Sequence, residues 1–212
     1  MEISKVFTSK IQQRYTSESQ SNCNLSCGSN LDFLDIKEGE SVLDLGCGRG
    51  TETMQAAMLT GQAGLAVGLD ITQAMIDEAL RISEGVGIGN TRFYKGDIES
   101  LPFENCFFDA VMSNCVINHA KDKEKVYREI FRVLKVNGRF VVSDAVTKHS
   151  LPDEIKNDPD AWAQCFGGAI TEEKYLSSIR NAGFSSIDIL KRREYIKNGF
   201  DFISLTIRAK KV

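Results

Sequence analysis

Three glycines at two-residue spacing, Gly46, Gly48 and Gly50, follow an apolar pair, Val42-Leu43, and precede a helical-looking segment. Glycines of this kind let the backbone turn tightly and approach a ligand closely. A helix starting just after them offers free N–H groups and the positive end of its dipole. The turn opens on an acid, Asp44. Twenty residues past Gly50 a second apolar run, Leu65 to Leu69, ends in Asp70, a carboxylate able to accept both hydroxyls of a ribose. A third run, Phe93 to Gly96, ends in Asp97, followed by Ile98. Acids closing successive apolar runs point to chemistry on a bound nucleoside. The competing reading is that Asp70 and Asp97 only cap the segments after them, a common use of Asp.

The elements that must position these residues alternate. A strand is expected at about 41–45, a helix from Thr51, a strand at 64–70, a helix N-capped by Thr72, and a strand at 91–96. A fourth strand runs from Phe108 to Met112, with Ser113-Asn114-Cys115 at its C-terminal end. Asp122 opens an amphipathic helix with Val126, Ile130, Val133 and Leu134 inward and Glu124–Arg128 as an outer i,i+4 pair. Asn137-Gly138 turns the chain into a fifth strand, Arg139 to Asp144. Residues 147–168 read as an irregular excursion, 171–182 as a helix, and about 185–191 and 201–209 as a closing hairpin around Lys197-Asn198-Gly199. Alternating strands and helices predict a parallel sheet covered on both faces, with ligands outside the carboxyl ends of the strands. Gly46, Asp70, Asp97 and Asn114 all fall at those ends.

The pattern is D-x-G-x-G-x-G, not the G-x-G-x-x-G of dinucleotide folds, and an acid at its head suits an ammonium group better than a pyrophosphate. With Asp70 and Asp97-Ile98, it resembles the class I S-adenosylmethionine-dependent methyltransferases over about residues 40 to 145. The resemblance implies a Rossmann-like α/β fold: a mostly parallel seven-stranded sheet with an antiparallel last strand and helices on both faces. It implies that Asp70 accepts the ribose hydroxyls and that Asp97 and the Ile98 N–H meet the adenine edge. Ile71 would pack on the adenine face, while Asp44, Gly46 and Asn114 hold the methionyl end, with Gly48 and Gly50 completing the turn. On this reading residues 1–30 form an N-terminal helix and arm over the site, and 31–212 one methyltransferase domain with 147–168 on the substrate side.

At 212 residues, 42% hydrophobic and 26% charged, the chain is long enough for one α/β domain with a full core. A net charge of −3 without a long basic run does not indicate a nucleic-acid partner. No apolar run approaches 18 residues and the first fifteen residues lack an apolar signal core, so a cytoplasmic protein without a membrane partner is expected. Six cysteines in such a chain favour free or reactive thiols over a disulfide framework.

Two blocks carry a narrower resemblance, to the arsenite methyltransferases: Ser113-Asn114-Cys115-Val116-Ile117-Asn118 with the helix after it, and Leu151-Pro152-Asp153-Glu154-Ile155 through Trp162-Ala163-Gln164-Cys165-Phe166-Gly167-Gly168-Ala169. Arg14-Tyr15 with Cys27-Gly28 is a looser match. Trivalent arsenic is soft and prefers thiolates, as soft metals do. The resemblance implies that Cys27 and Cys165 hold the metalloid substrate while its lone pair attacks the sulfonium methyl. The family has a further cysteine in its C-terminal part; here no cysteine follows Cys165, and His119 stands where the family has an aliphatic residue. Three readings stay open: a small thiol co-substrate as third ligand, Cys23 as third ligand, or another acceptor. Cys47 reads as packing in the turn, Cys106 as incidental, and Cys115 as a buried small hydrophobe. His119 is either a general base near the acceptor or a surface loop histidine, and Trp162 a lid or core aromatic. The alternative enzyme is a small-molecule C- or O-methyltransferase like those of quinone biosynthesis. A non-catalytic S-adenosylmethionine-binding protein and a thiol-site metal sensor are the alternatives from other classes.

Overall fold

The computed structural model describes residues 2–19 and 30–212. Strand β1 (Ser41–Leu45) lies at the centre of the sheet, where Val42, Leu43 and Leu45 are buried. Its side chains alternate between two cores, as the two-residue period of a strand requires. Val42 joins Ala66, Ala110, Met112 and Val141 on one face, against helices α2 (Leu31–Leu34) and α3 (Thr51–Thr60). Leu43 and Leu45 join Val67, Leu69, Val111, Phe140 and Val142 on the other, against α5 (Lys123–Val133) and α8 (Glu172–Asn181). Burial on both faces is why these strands read as near-continuous apolar runs.

The other strands are β2 (Leu65–Asp70), β3 (Thr91–Lys95), β4 (Phe108–Asn114), β5 (Leu134–Thr147), β6 (Ile187–Lys197) and β7 (Phe200–Lys210). With α4 (Gln73–Val86) between β2 and β3, they form one seven-stranded sheet in the order β3-β2-β1-β4-β5-β7-β6. Pairs from β3 to β5 are parallel, and β7 runs antiparallel to both β5 and β6. This is the expected mostly parallel sheet with an antiparallel last strand. The strand order reverses between β1 and β4, so the crevice beyond their C-terminal ends is the switch point at which such sheets bind ligands. Gly46 and Asn114 flank it.

Three elements differ from expectation. Strand β5 starts at Leu134, because Asn137 (φ 65°) and Gly138 form an irregularity within the strand instead of a turn before it. Two backbone bonds hold it: Asn137 N–H donates to the Lys211 carbonyl and Lys211 N–H to the Gly138 carbonyl, both at 2.8 Å. Strand β6 runs six residues further than expected, to Lys197. Its alternating charges resemble a loop in sequence, but it is an edge strand whose exposed side chains pair with neighbours, Arg192 with Glu172 and Glu194 with Lys148. The excursion at 147–168 contains two short helices, α6 (Asp153–Lys156) and α7 (Pro159–Ala163); the Asp158 carboxylate caps the second by accepting from Asp160 N–H at 2.9 Å.

The N-terminal helix α1 (Glu2–Glu18) packs on α7 and α4, across the carboxyl ends of the strands. It is fixed there by Phe7 edge-on to Trp162 at 5.2 Å, by the Gln12 amide donating to the Ile71 carbonyl at 3.0 Å, and by Arg14 donating to the Ala163 carbonyl.

Candidate active site

Beyond the strand ends, under α1, lies a cavity of about 430 Å³. Asp44, Gly46, Gly48, Asp70, Ile71, Asp97, Ile98, Asn114 and Cys165, all singled out from the sequence, line it together. Gly50 does not. It takes a left-handed conformation (φ 76°) one residue before α3, with the Phe93 ring so close that a Cβ would meet it at 2.6 Å. Its part is to let α3 start where it does. Cys27 and Cys23 lie outside the described residues.

At one end of the cavity the groups are carboxylates. Asp70 accepts Gly48 N–H at 3.0 Å on one oxygen and Thr72 N–H at 2.8 Å on the other, which clamps the glycine turn to the end of β2. Asp44 is buried and accepts the Thr53 hydroxyl at 2.7 Å. Burial pushes the Asp44 carboxyl up to about 7, with Glu52 and Asp70 adding to the shift and Thr53 opposing it. Burial raises Asp70 as well, against the N–H groups of Thr72 and Gly48. Glu52 and Asp97 also face this end. The charges acting on Asp44, those of Glu52 and Asp70, are negative, so a cation bound beside it is favoured. At Gly48 a Cβ would point into open space at φ 52°, whereas at Gly46 it would lie 2.1 Å from Val116 Cγ2. A ligand carrying an ammonium, a sulfonium and ribose hydroxyls suits this set: a buried acid for the cation, a two-oxygen acceptor for the diol, and a glycine backbone with room above it.

The other end holds a thiol, an imidazole and a phenol. Cys165, in the loop after α7, takes a left-handed backbone (φ 61°). Its Sγ lies 2.7 Å from His119 Nε2, 3.2 Å from the Tyr15 hydroxyl and 3.2 Å from the Cys115 carbonyl. The Tyr15 hydroxyl is 3.1 Å from the same imidazole nitrogen. His119 ends a 3₁₀ turn, Ile117–His119, after β4. His119 lines the cavity and is not a surface loop residue. Burial lowers its pKa to about 4, Arg14 and Lys123 act in the same direction, and the Trp162 backbone opposes them. Cys115 corrects its reading as a buried hydrophobe: it lines the cavity in a left-handed conformation (φ 58°) and presents its carbonyl to Cys165. Cys47 is mostly buried in the cavity wall, its thiol pushed up by burial, and Cys106 is exposed, away from the cavity. Trp162 braces α1 and α7 and does not line the cavity.

Sequence reasoning missed the supports of this end. Asp144, at the end of β5, accepts the Asn118 backbone N–H at 3.1 Å and side-chain amide at 2.8 Å, and the Tyr175 hydroxyl at 3.2 Å. That fixes the turn carrying His119. Asn30, fully buried, donates to the Ser113 carbonyl at 2.7 Å and accepts the Ser143 hydroxyl at 2.5 Å, tying β4 to β5. Asp144 shows in the sequence only as an acid within an apolar run, and Asn30 not at all, since it closes the polar stretch 16–30.

Residues 36–183 match the family model described as a methyltransferase domain. The arsenite methyltransferase of Halobacterium salinarum is 34% identical over 197 residues, 88% of this chain and 50% of that protein. The ubiquinone/menaquinone biosynthesis C-methyltransferase of Escherichia coli is 28% identical, over 74% of this chain and 71% of that enzyme. Among solved structures, an arsenic (III) S-adenosylmethionine methyltransferase from Chlamydomonas reinhardtii superposes with a TM-score of 0.77 at 29% identity, covering 96% of this chain and 74% of the other. The chain spans about half the length of the curated arsenite methyltransferases it matches.

Proposed function

This chain belongs to the class I S-adenosylmethionine-dependent methyltransferases, and on that footing we propose that it methylates trivalent arsenic held by the Cys165 and Cys27 thiolates. The cofactor, when bound, supplies an electrophilic methyl group on a sulfonium. Asp70 would hold the ribose hydroxyls, Asp97 and the Ile98 N–H the adenine edge, and Ile71 the adenine face. Asp44, with Gly46 and Asn114, would hold the methionyl end. The methyl is already activated, so the protein's work is alignment of the nucleophile and exclusion of water. Helix α1 covers the cavity and serves the second purpose.

One observation carries the acceptor assignment: the Cys165 thiol stands in the wall of the cofactor cavity, among hydrogen-bonding groups and not packed in a core. Relatives named for arsenite methylation, at 31–35% identity, support it. The third position on arsenic falls to Cys23 or to a small thiol co-substrate. A cytoplasmic setting, where thiols stay reduced, suits such a site. The test is retention of arsenic. Wild-type protein incubated with arsenite and desalted should carry one arsenic per chain by mass spectrometry, and Cys165→Ser none. Equal retention by the two proteins would remove Cys165 from the site.

The second reading is a small organic acceptor, as in the quinone-biosynthesis relative. It is favoured by the share of that enzyme the chain spans and by Phe7, Ile11, Phe166 and Tyr195 in the cavity wall. It predicts activity that survives Cys165→Ser.

A further inference from the structure

A thiol at neutral pH is a poor nucleophile unless a neighbour takes its proton. We propose that His119 is that neighbour for Cys165: its Nε2 accepts the Sγ proton as sulfur bonds to a thiophilic centre, while the Tyr15 hydroxyl holds the two side chains in register. The proposal deepens the acceptor-site reading and rests on it only for the identity of the thiophilic centre.

The geometry is built from three separate parts of the chain. Helix α1 supplies Tyr15, 3.2 Å from Sγ and 3.1 Å from Nε2, with its ring perpendicular to the imidazole at 5.6 Å. The turn after β4 supplies His119, fixed through Asn118 by two bonds to Asp144 and a third, at 2.6 Å, to the Ala145 carbonyl. The loop after α7 supplies Cys165 and can reach the turn because residue 168 is glycine: a Cβ there would lie 2.0 Å from the Asn118 carbonyl oxygen. Convergence of three elements on one 2.7 Å sulfur–nitrogen contact is not required by packing.

The surroundings keep Nε2 unprotonated and make any proton it takes short-lived. Arg14 from α1 and Lys123 from α5 are the cations acting on His119, and Tyr15 and Cys165 are its titratable contacts. Burial and these cations keep the imidazole neutral, which leaves the Nε2 lone pair available to the thiol. With arsenite the step balances as a substitution. The Cys165 S–H bond breaks, the proton passes through Nε2, and a sulfur–arsenic bond forms. Hydroxide leaving arsenic takes that proton away as water, and no oxidation state changes.

The test uses neither arsenic nor methyl transfer, so its failure is separable from failure of the acceptor assignment. The protein is treated with iodoacetamide and each cysteine is quantified by peptide mass spectrometry, with exposed Cys106 as the internal reference. At pH 7, His119→Gln, which keeps a hydrogen-bonding side chain but lacks a basic nitrogen, should slow Cys165 relative to Cys106 by about tenfold or more. Tyr15→Phe should slow it less. An unchanged or increased ratio in His119→Gln overturns the proposal. Wild type alone gives a second reading: the ratio of Cys165 to Cys106 alkylation should rise several-fold from pH 7 to pH 6, because neutral His119 still serves Cys165 while unassisted thiolate declines. A ratio that stays flat or falls overturns the proposal whether or not the variant folds.

Discussion

With Asp44 assigned to the cationic methionyl end, cofactor affinity is expected to depend on pH. The carboxyl is 4% exposed, with the Thr53 hydroxyl as its hydrogen-bond donor, and burial pushes it up to about 7. The folded-state value lies above the ordinary carboxylate value, so the empty native state favours the protonated form. That contribution to stability is complete below about 4 and is lost as pH rises through about 7. A cationic ligand works in the opposite direction, because it binds the ionised carboxylate. The apparent dissociation constant is then the limiting one multiplied by one plus the ratio of protonated to ionised Asp44. That factor is about 2 at pH 7, about 11 at pH 6 and about 100 at pH 5, a weakening of roughly 50-fold between pH 7 and pH 5. Isothermal titration of S-adenosylmethionine from pH 5 to 7.5 measures it directly. S-adenosylhomocysteine, which keeps the ammonium and lacks the sulfonium charge, should show a similar slope if the amino end is what Asp44 meets. Asp44→Asn should bind weakly across the range, with most of the slope gone. A wild-type affinity independent of pH, or the full slope retained in Asp44→Asn, would refute the reasoning.

Other perturbations separate the cofactor end from the acceptor end. Gly46→Ala places a Cβ 2.1 Å from Val116 at φ 71°, so it should cost about 2 kcal/mol in urea unfolding and weaken cofactor binding; an unchanged midpoint would count against so tight a turn. Gly168→Ala pushes the Cys165 loop away from the Asn118 carbonyl, and should change the alkylation rate of Cys165 while leaving cofactor affinity within about twofold. Arg139 makes a two-pronged bond to Glu40, 2.8 and 2.7 Å, and donates to the carbonyls of Leu34 and Asp35; with both side chains under one-fifth exposed, Arg139→Ala should cost about 2 to 3 kcal/mol of stability, read by urea unfolding.

The carboxylate end of the cavity was legible in the sequence because its signals are local. Gly46, Gly48, Asp70 and Asp97 each sit at or just beyond the end of a strand that apolar runs announce, and parallel topology brings all such ends to one side. The thiol end is assembled from Tyr15, His119 and Cys165, up to 150 residues apart, and no periodicity encodes that meeting. Family resemblance flagged Cys165, but only packing of the loop after α7 on the turn after β4 shows it beside His119. Polarity misled in two places. Charged β6 and the Asn137-Gly138 step both looked like loops, yet ion pairs to neighbouring elements and two backbone bonds to Lys211 keep them in the sheet. Asp144 and Asn30 carry no motif, and only their burial shows that they brace the site.

The central claim is that the thiol in the cofactor cavity presents arsenic to the activated methyl. Its most direct test is methyl transfer from S-adenosylmethionine to arsenite with excess small thiol, comparing wild type with Cys165→Ser and Cys27→Ser and with cofactor binding checked in each. The account predicts methylated arsenic from wild type and none from either variant, with cofactor affinity intact in all three. Cofactor binding with no methylated arsenic from wild type would contradict it and transfer the assignment to a small organic acceptor.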